Sequence, residues 1–442
     1  MVCRVAVFGT GYLGATHAAC MAELGHEVVG VDVDTAKVAR LASGEAPFFE
    51  PGLDQLLKSN IDAGRLRFTS SYAEAAEFAD VHFIAVATPQ RCGELAADLS
   101  YVDAVITELS PLLARPTVIY GKSTVPVGTA ARLSAMARKI APAGGAVEVA
   151  WNPEFLREGF AVQDTLHPDR IVLGIDVEHA MRAEEMAREV YRDIIAEGTP
   201  FLVTDRETSE LVKGAANAFL ATKISFINAM AEVCEAAGAD VTELADAIGY
   251  DARIGRRFLN AGIGFGGGCL PKDIRAFVAR AGELGVSEAV TFLGEVDSIN
   301  IRCRARMVEL LRKVAGGSVD GVRVAVLGAA FKPDSDDIRD SPALNISSQL
   351  QLDGAEVSIY DPKAIENCRL LHPKLHYATG VDEACDGADA IMVLTEWEEF
   401  RLLEPTHLDG IVRQKNIIDG RNCLDPVKWR SAGWLYRGMG RN

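Results

Sequence analysis

No stretch of the chain is apolar over the roughly 18 residues that a membrane-spanning helix needs, so helical membrane spans are not expected. Cysteine pairs at metal-ligand spacing are also missing. The nine cysteines are scattered and no two stand as CxxC, which argues against a structural zinc site and predicts no bound metal. Positive charge is in deficit, with a formal net charge of -17. That balance speaks against nucleic acid and against an anionic membrane surface as partners. An anionic small molecule stays open, provided its site supplies local cations. The strand pattern beginning at Arg4 leaves no room for a secretory leader. An odd cysteine count without one reads as reduced thiols in a cytoplasmic protein.

What is present is globular in kind, with 49% hydrophobic and 24% charged residues. At 442 residues the chain is too long for one core, and two or three domains are expected. The run Arg4-Val5-Ala6-Val7-Phe8 meets Gly9-Thr10-Gly11-Tyr12-Leu13-Gly14 and then a helical pattern that Gly25 ends. Glu27 to Asp32 reads as the next strand, completing a βαβ unit. Val81 to Val86 and Thr117 to Tyr120 are further strands, so a parallel sheet covered on both faces is predicted. From Thr208 to Ala237 there is no Pro and the single Gly is Gly214. This stretch predicts one long helix, apolar on most sides and therefore buried by other domains or a second subunit. Arg323 to Gly328, Glu356 to Asp361 and Ala388 to Thr395 then repeat the strand pattern of the first unit. Ser341-Pro342 supplies an N-cap and first-turn proline for a helix to Leu352. The expected fold is α/β, with two Rossmann-like doubly wound domains joined by a long central helix and a helical middle domain. The boundaries fall at 1–200, 201–300 and 301–442. The last domain lacks the glycine triad, so it should bind something other than a dinucleotide.

The GxGxxG turn follows a strand, opens a helix, and has Asp32 at the end of the next strand, 18 residues after Gly14. That context predicts a dinucleotide site. Gly9 permits the tight turn, Gly11 the approach of a pyrophosphate, and Gly14 close helix–strand packing. Tyr12 and Leu13 place their backbone at the helix start, where partial positive charge faces phosphate. Asp32 would accept hydrogen bonds from the adenosine ribose and repel a 2′-phosphate, which favours NAD over NADP. Lys37 belongs to the same site and complicates that preference.

A second constellation surrounds Cys269. Five glycines occupy seven positions between Gly262 and Gly268 and could bring backbone N–H groups to a ligand. Pro271 suits the first residue of a new helix, which sets Cys269 just before its start, with Lys272 nearby. Both features favour a thiolate over a thiol, whose ordinary pKa is about 8.5. Asp273 can point into the same space. A cysteine beside NAD has a specific use: it adds to an aldehyde as a thiohemiacetal, and a second hydride transfer gives a thioester that water opens. Such chemistry needs an oxyanion donor and a base. Lys213 and Asn217, spaced i,i+4 on the long helix, suit the first role; the alternative is an exposed helical strip. Glu154 and Glu158, read as one helical turn apart, offer the second; the alternative is a solvated face. Ser123 to Thr129 follows a strand, where such sheets place ligands.

These residues resemble the UDP-glucose/GDP-mannose dehydrogenase family. The likeness runs over nearly the whole chain: the GTGYLG turn, FEPGL at 49–53, ADLSYV at 97–102, STVPVGT at 123–129, NPEFLREG at 152–159, GFGGGCLPKD at 264–273, AFKPDSDDIRDSP at 330–342 and DGRN at 419–422. The resemblance implies two oxidations at C6 of a nucleotide-linked sugar with two NAD⁺ consumed. It implies Cys269 as nucleophile, Lys213 and Asn217 on the C6 oxygen, Asp273 and Thr124 on a water, and Glu154 in thioester hydrolysis. Thr88, Thr124 and Glu158 are implied near the nicotinamide, with Arg339 approaching the cofactor. Glu154, Phe155, Leu156, Phe258, Gly266, Lys332 and Arg421 join Lys213 and Asn217 at the substrate. Arg253 is implied to reach a neighbouring subunit's substrate, hence a homodimer built on the long helix. Within the family the segment from Arg253 to Gly267 points to UDP-glucose, with GDP-mannose as the alternative and a two-electron hydroxy acid dehydrogenase further off. Two positions depart from the family pattern: Ala87 stands where Gly is common, and Gly268 where Ser is common.

Overall fold

The computed structural model describes residues 2–177, 180 and 182–441. The chain divides into two compact units, Met1–Ala216 with Arg275–Gly285, and Asn217–Ile274 with Val286–Asn442.

The first unit holds an eight-stranded sheet. Its strands are β1 Arg4–Phe8, β2 Glu27–Val31, β3 Leu66–Thr69, β4 Val81–Ile84, β5 Thr117–Gly121, β6 Val147–Trp151, β7 Ile171–Ile175 and β8 Phe201–Asp205. They lie in the order β3-β2-β1-β4-β5-β6-β7-β8. The order reverses between β1 and β4, so the loops leaving those two strands frame the crevice where doubly wound sheets bind ligands. Side chains alternate across the sheet as strand geometry requires. Val5 and Val7 enter one core cluster with Val28, Phe83 and Tyr120, while Ala6 and Phe8 enter the other with Val29, Ile84 and Ile119. All neighbours pair parallel except β6 and β7, which meet antiparallel at Trp151 and Gly174. The link between them holds one short helix, Ala161–Leu166. That exception leaves a long loop, 152–160, at the ligand end of β6.

The second unit repeats the plan with six strands: β9 Arg323–Leu327, β10 Glu356–Tyr360, β11 His376–Tyr377, β12 Ala390–Val393, β13 Asn416–Asp419 and β14 Leu435–Gly438, ordered β11-β10-β9-β12-β13-β14. The expected helix is Pro342–Leu352, and the Ser341 hydroxyl accepts from Leu344 N–H as an N-cap should. The long helix runs Arg206–Ala237, starting two residues before the predicted Thr208. Its exposed apolar residues include Phe219, Phe226 and Val233. Among the described residues, no helix is long and apolar enough to cross a membrane.

Candidate active site

The nucleotide end of the first unit is built from β1 and β2. Gly9 has φ +88°, and a Cβ there would lie 2.8 Å from Val86. A Cβ on Gly14 would sit 1.7 Å from the Gly9 carbonyl oxygen. Only glycine fits either place. A Cβ on Gly11 would meet no atom within 4 Å, so nothing inside the protein demands glycine there; the demand fits a ligand's approach. The helix Tyr12–Glu23 starts at this turn, which leaves its first N–H groups without intrahelical acceptors. The Tyr12 ring is packed on Phe48, centroids 4.1 Å apart.

Asp32 is buried. Its Oδ2 accepts from Thr10 N–H and Thr10 Oγ1, both at 2.9 Å, and from Lys37 Nζ at 3.0 Å. Burial pushes its pKa up, but the bonds from Thr10, Asp34 and Lys37 together outweigh that and hold it below the ordinary carboxylate value. Oδ1 takes the Asp34 N–H at 3.1 Å and keeps acceptor capacity for a ribose hydroxyl. These residues fit an adenine dinucleotide: a glycine turn that a Cβ would fill and an ionised acceptor at the end of β2.

The loops after β4 and β5 are tied by Thr88 Oγ1, which donates to the Thr124 carbonyl at 2.8 Å. Ala87 is exposed and not at positive φ, so alanine in place of glycine costs no backbone strain there. The loop after β6 differs from expectation. Glu154 and Glu158 do not lie one helical turn apart, because 152–157 is not helical. Pro153 biases Asn152 away from helical backbone, and the Glu154 carboxylate accepts the N–H of Leu156 at 2.7 Å, a local bond that competes with a helix. Neither glutamate belongs to a solvated face. Glu158 is buried, and Glu154 Oε1 pairs with Lys213 Nζ at 3.0 Å. Lys213 also stands over the Phe155 ring at 5.7 Å. The exposed-strip alternative for the long helix fails at both positions, since Lys213 and Asn217 are buried.

Two features of this unit were not anticipated. Lys122, directly before Ser123, is buried and donates to Asn152 Oδ1 at 2.9 Å, with Tyr191 O–H on the same oxygen at 2.7 Å. Burial pushes the lysine down to about 7, against the pull of Glu154 and with the help of Lys213. The other is a pair of buried glutamates, Glu50 and Glu210, bonded to backbone N–H groups beside these loops. Glu50 lies within the FEPGL stretch, and nothing in the sequence marks Glu210.

In the second unit, Cys269 is exposed and immediately precedes the helix Leu270–Glu283. The helix begins one residue before Pro271, so the proline is its second residue rather than its first. The Cys269 carbonyl accepts the Asp273 N–H at 3.0 Å. Asp273 is buried between two donors: Asn217 Nδ2 at 2.7 Å and Lys272 Nζ at 2.5 Å. Lys272 is thus engaged by a carboxylate.

The glycine run packs closely against its own unit. The N–H groups of Gly262, Ile263, Phe265 and Gly267 are bonded to Asn228, Gly420, Asn300 and Arg339. A Cβ on Gly266 would lie 2.3 Å from the Asp340 carbonyl oxygen, and one on Gly264 2.3 Å from Asn300 Oδ1. The glycines let this segment lie flat against its own unit. Gly268 faces the Arg339 guanidinium, whose Cζ would be 2.2 Å from a Cβ at that position. Arg339 is also forked onto Asp337 at 2.7–2.9 Å, and so stands beside the cysteine's own loop.

Arg421 donates to the carbonyls of Leu394, Gly264 and Phe331 at 2.9–3.0 Å. It joins the loops after β9, β12 and β13 to the glycine run. Lys332 is half-buried, its Nζ 5.6 Å from the Phe331 ring centroid. Phe258 has φ +67°, an uncommon conformation for a bulky residue. Arg253 is 89% exposed and bonded to Asp251.

Three family descriptions match in sequence: the UDP-glucose/GDP-mannose dehydrogenase family NAD binding domain at residues 3–195, its central domain at 207–302 and its UDP binding domain at 325–426. A UDP-glucose 6-dehydrogenase of Rhizobium meliloti is 44% identical over 99% of this chain and 99% of its own. The UDP-glucose 6-dehydrogenase TuaD of Bacillus subtilis is 42% identical over 99% and 93%. The solved structure of a UDP-glucose dehydrogenase from Pyrobaculum islandicum superposes with a TM-score of 0.91 at 36% identity, covering 100% of this chain and 98% of that one.

Proposed function

The chain belongs to the UDP-glucose/GDP-mannose dehydrogenase family and is an NAD-dependent nucleotide-sugar dehydrogenase, and from that premise we propose that it converts UDP-glucose to UDP-glucuronate through intermediates bound to Cys269. The observation that carries the reading is Cys269 itself, exposed at a helix start with Asp273 held by Asn217 and Lys272 one turn on. A single alcohol oxidation needs none of this. Held at the Gly9–Gly14 turn and Asp32, NAD⁺ would supply the hydride acceptor for each of two oxidations at C6. Between them the Cys269 thiolate adds to the C6 aldehyde, forming a C–S bond and a thiohemiacetal. Loss of the second hydride leaves a thioester. Water then breaks the C–S bond, releasing carboxylate and thiol. The balance is UDP-glucose, two NAD⁺ and one water to UDP-glucuronate, two NADH and three protons.

Lys213 and Asn217 serve as donors to the C6 oxygen, where charge develops in both the adduct and its breakdown. Asp273 and Thr124 orient the water, and Glu154 takes its proton. The Glu154–Lys213 pair supports this assignment, since a lysine that neutralises the carboxylate in the resting site can turn to an oxyanion during reaction. Glu158 and Thr88 lie on loops that leave the sheet at its ligand end, as a nicotinamide contact requires. Phe155, Leu156, Phe258, Gly266, Lys332 and Arg421 bind the substrate, and Arg339 the cofactor. Exposed Phe219, Phe226 and Val233 recur every seven residues on the long helix, a stripe suited to a second copy of the chain, to whose substrate Arg253 would reach. The protein is read as cytoplasmic. A panel of UDP-glucose, GDP-mannose and UDP-N-acetylhexosamines, followed by NADH absorbance, tests the substrate. UDP-glucose should be turned over with by far the highest kcat/KM. Preference for GDP-mannose would overturn the assignment.

A further inference from the structure

The loop 152–160 has no regular secondary structure, yet Glu154 must be held to a fraction of an ångström to activate water. Its placement therefore depends on side chains that pin it. The start is fixed by Asn152, whose Nδ2 donates to the Val172 carbonyl at 2.8 Å while its Oδ1 accepts from Lys122 and Tyr191. The far end is fixed by Glu50, more than a hundred residues away in sequence. Its two carboxylate oxygens accept the N–H groups of Gly159 at 2.6 Å and Ala161 at 2.7 Å.

Glu50 is itself held rigidly. Glu50-Pro51-Gly52-Leu53 forms a β-turn in which the Glu50 carbonyl accepts the Leu53 N–H at 3.2 Å and Gly52 has φ +79°, ψ -11°. That is a type II turn, with proline and glycine at the positions it favours. Gly159 also has φ +79°, and this left-handed backbone turns its N–H to the carboxylate. The Glu50 side chain is buried, so water cannot readily replace either bond.

We propose that Glu50 is a positioning residue for the hydrolytic half of the reaction, fixing through Gly159 and Ala161 the loop that presents Glu154. The proposal rests on the reading of Glu154 as the group that assists thioester hydrolysis. A built-in control exists in the same unit. Glu148 uses the same device, accepting the N–H groups of Arg182 at 2.9 Å and Ala183 at 3.0 Å, but the segment it holds carries none of the assigned reacting groups.

The test compares Glu50→Gln, Glu148→Gln and Glu154→Gln with the parent enzyme under excess UDP-glucose and NAD⁺. Each glutamine keeps the volume but turns an amide donor toward a backbone donor. The readouts are kcat and the fraction of Cys269 carrying a sugar acyl group by intact-protein mass. Glu50→Gln and Glu154→Gln should both load Cys269, and Glu50→Gln should lower kcat by roughly 10- to 100-fold. Glu148→Gln should lower the melting temperature with no acyl enzyme beyond that of the parent. Should Glu50→Gln not fold, Gly159→Ala strains the same bond and should load Cys269 likewise. The proposal is overturned if Glu154→Gln loads Cys269 while Glu50→Gln, or Gly159→Ala in its place, does not, or if Glu148→Gln loads it equally. If Glu154→Gln accumulates no acyl enzyme, the reading of Glu154 fails and takes the proposal with it.

Discussion

We propose that Asp32 and Lys37 set the cofactor preference as a pair. The Lys37 ammonium lies 3.0 Å from the Asp32 carboxylate, so its charge is matched and not offered to a 2′-phosphate. Asp32→Ser removes the ribose acceptor and releases Lys37. A charge-assisted hydrogen bond contributes about 2 kcal/mol, so kcat/KM for NAD should fall by about thirtyfold while that for NADP rises, as read in parallel initial-rate assays. At the cysteine, Cys269→Ala should lose steady-state turnover by about three orders of magnitude or more, as removal of a nucleophile does; full activity would return the chain to a two-electron scheme. The settings of these residues were legible in the sequence, Cys269 before a helix, Asp32 after a strand, and Lys213 with Asn217 on a helix without proline. Glu154 and Glu158 were found but misplaced, since a four-residue spacing suggests a helix that Pro153 and the Glu154–Leu156 bond prevent. Glu50 went unassigned because its partners are two backbone N–H groups, and backbone partners leave no mark in a sequence.

At the scale of elements, the strands β1, β2, β4, β5, β9, β10 and β12 followed from periodicity and the long helix from the absence of proline, while β3, β6, β7, β8, β11, β13 and β14 were not anticipated. Nor was the antiparallel join of β6 to β7, since nothing in Ile171–Ile175 marks its direction. The start of the long helix carries a pH-sensitive link. Glu210 accepts the N–H groups of Gly128 at 2.7 Å and Ala130 at 2.6 Å, at the start of the helix Thr129–Ile140. Burial, with Glu207 adding and Arg206 opposing, raises its pKa from 4.5 to about 7 despite those bonds. The folded state therefore holds this proton more tightly than the unfolded chain. Its contribution is fully present below pH 4.5 and is lost as pH rises through about 7. Relative to Glu210→Gln, the parent should lose up to about 3 kcal/mol of unfolding free energy across that window, measured by urea titration at each pH. A difference between the two proteins that does not change with pH would contradict the assignment.

For the whole molecule, the two sheets share one strand order while only the first has the glycine turn, and that asymmetry matches a dinucleotide on one and a nucleotide sugar on the other. The charge of -17 speaks against polyanions as partners, so the cations for an anionic substrate are expected to be local, and Lys213, Lys332 and Arg421 are the ones proposed. The stripe of Phe219, Phe226 and Val233 predicts a homodimer. Phe226→Asp should shift the protein to monomer in sedimentation velocity and lower activity with it, since Arg253 would no longer reach a partner's site; an unchanged monomeric parent would refute the dimer. Four-electron oxidation through Cys269 fixes the cofactor stoichiometry. With UDP-glucose limiting and NAD⁺ in excess, two NADH should form per UDP-glucose consumed, with UDP-glucuronate as product. One NADH per sugar, with the C6 aldehyde released into solution, would contradict it.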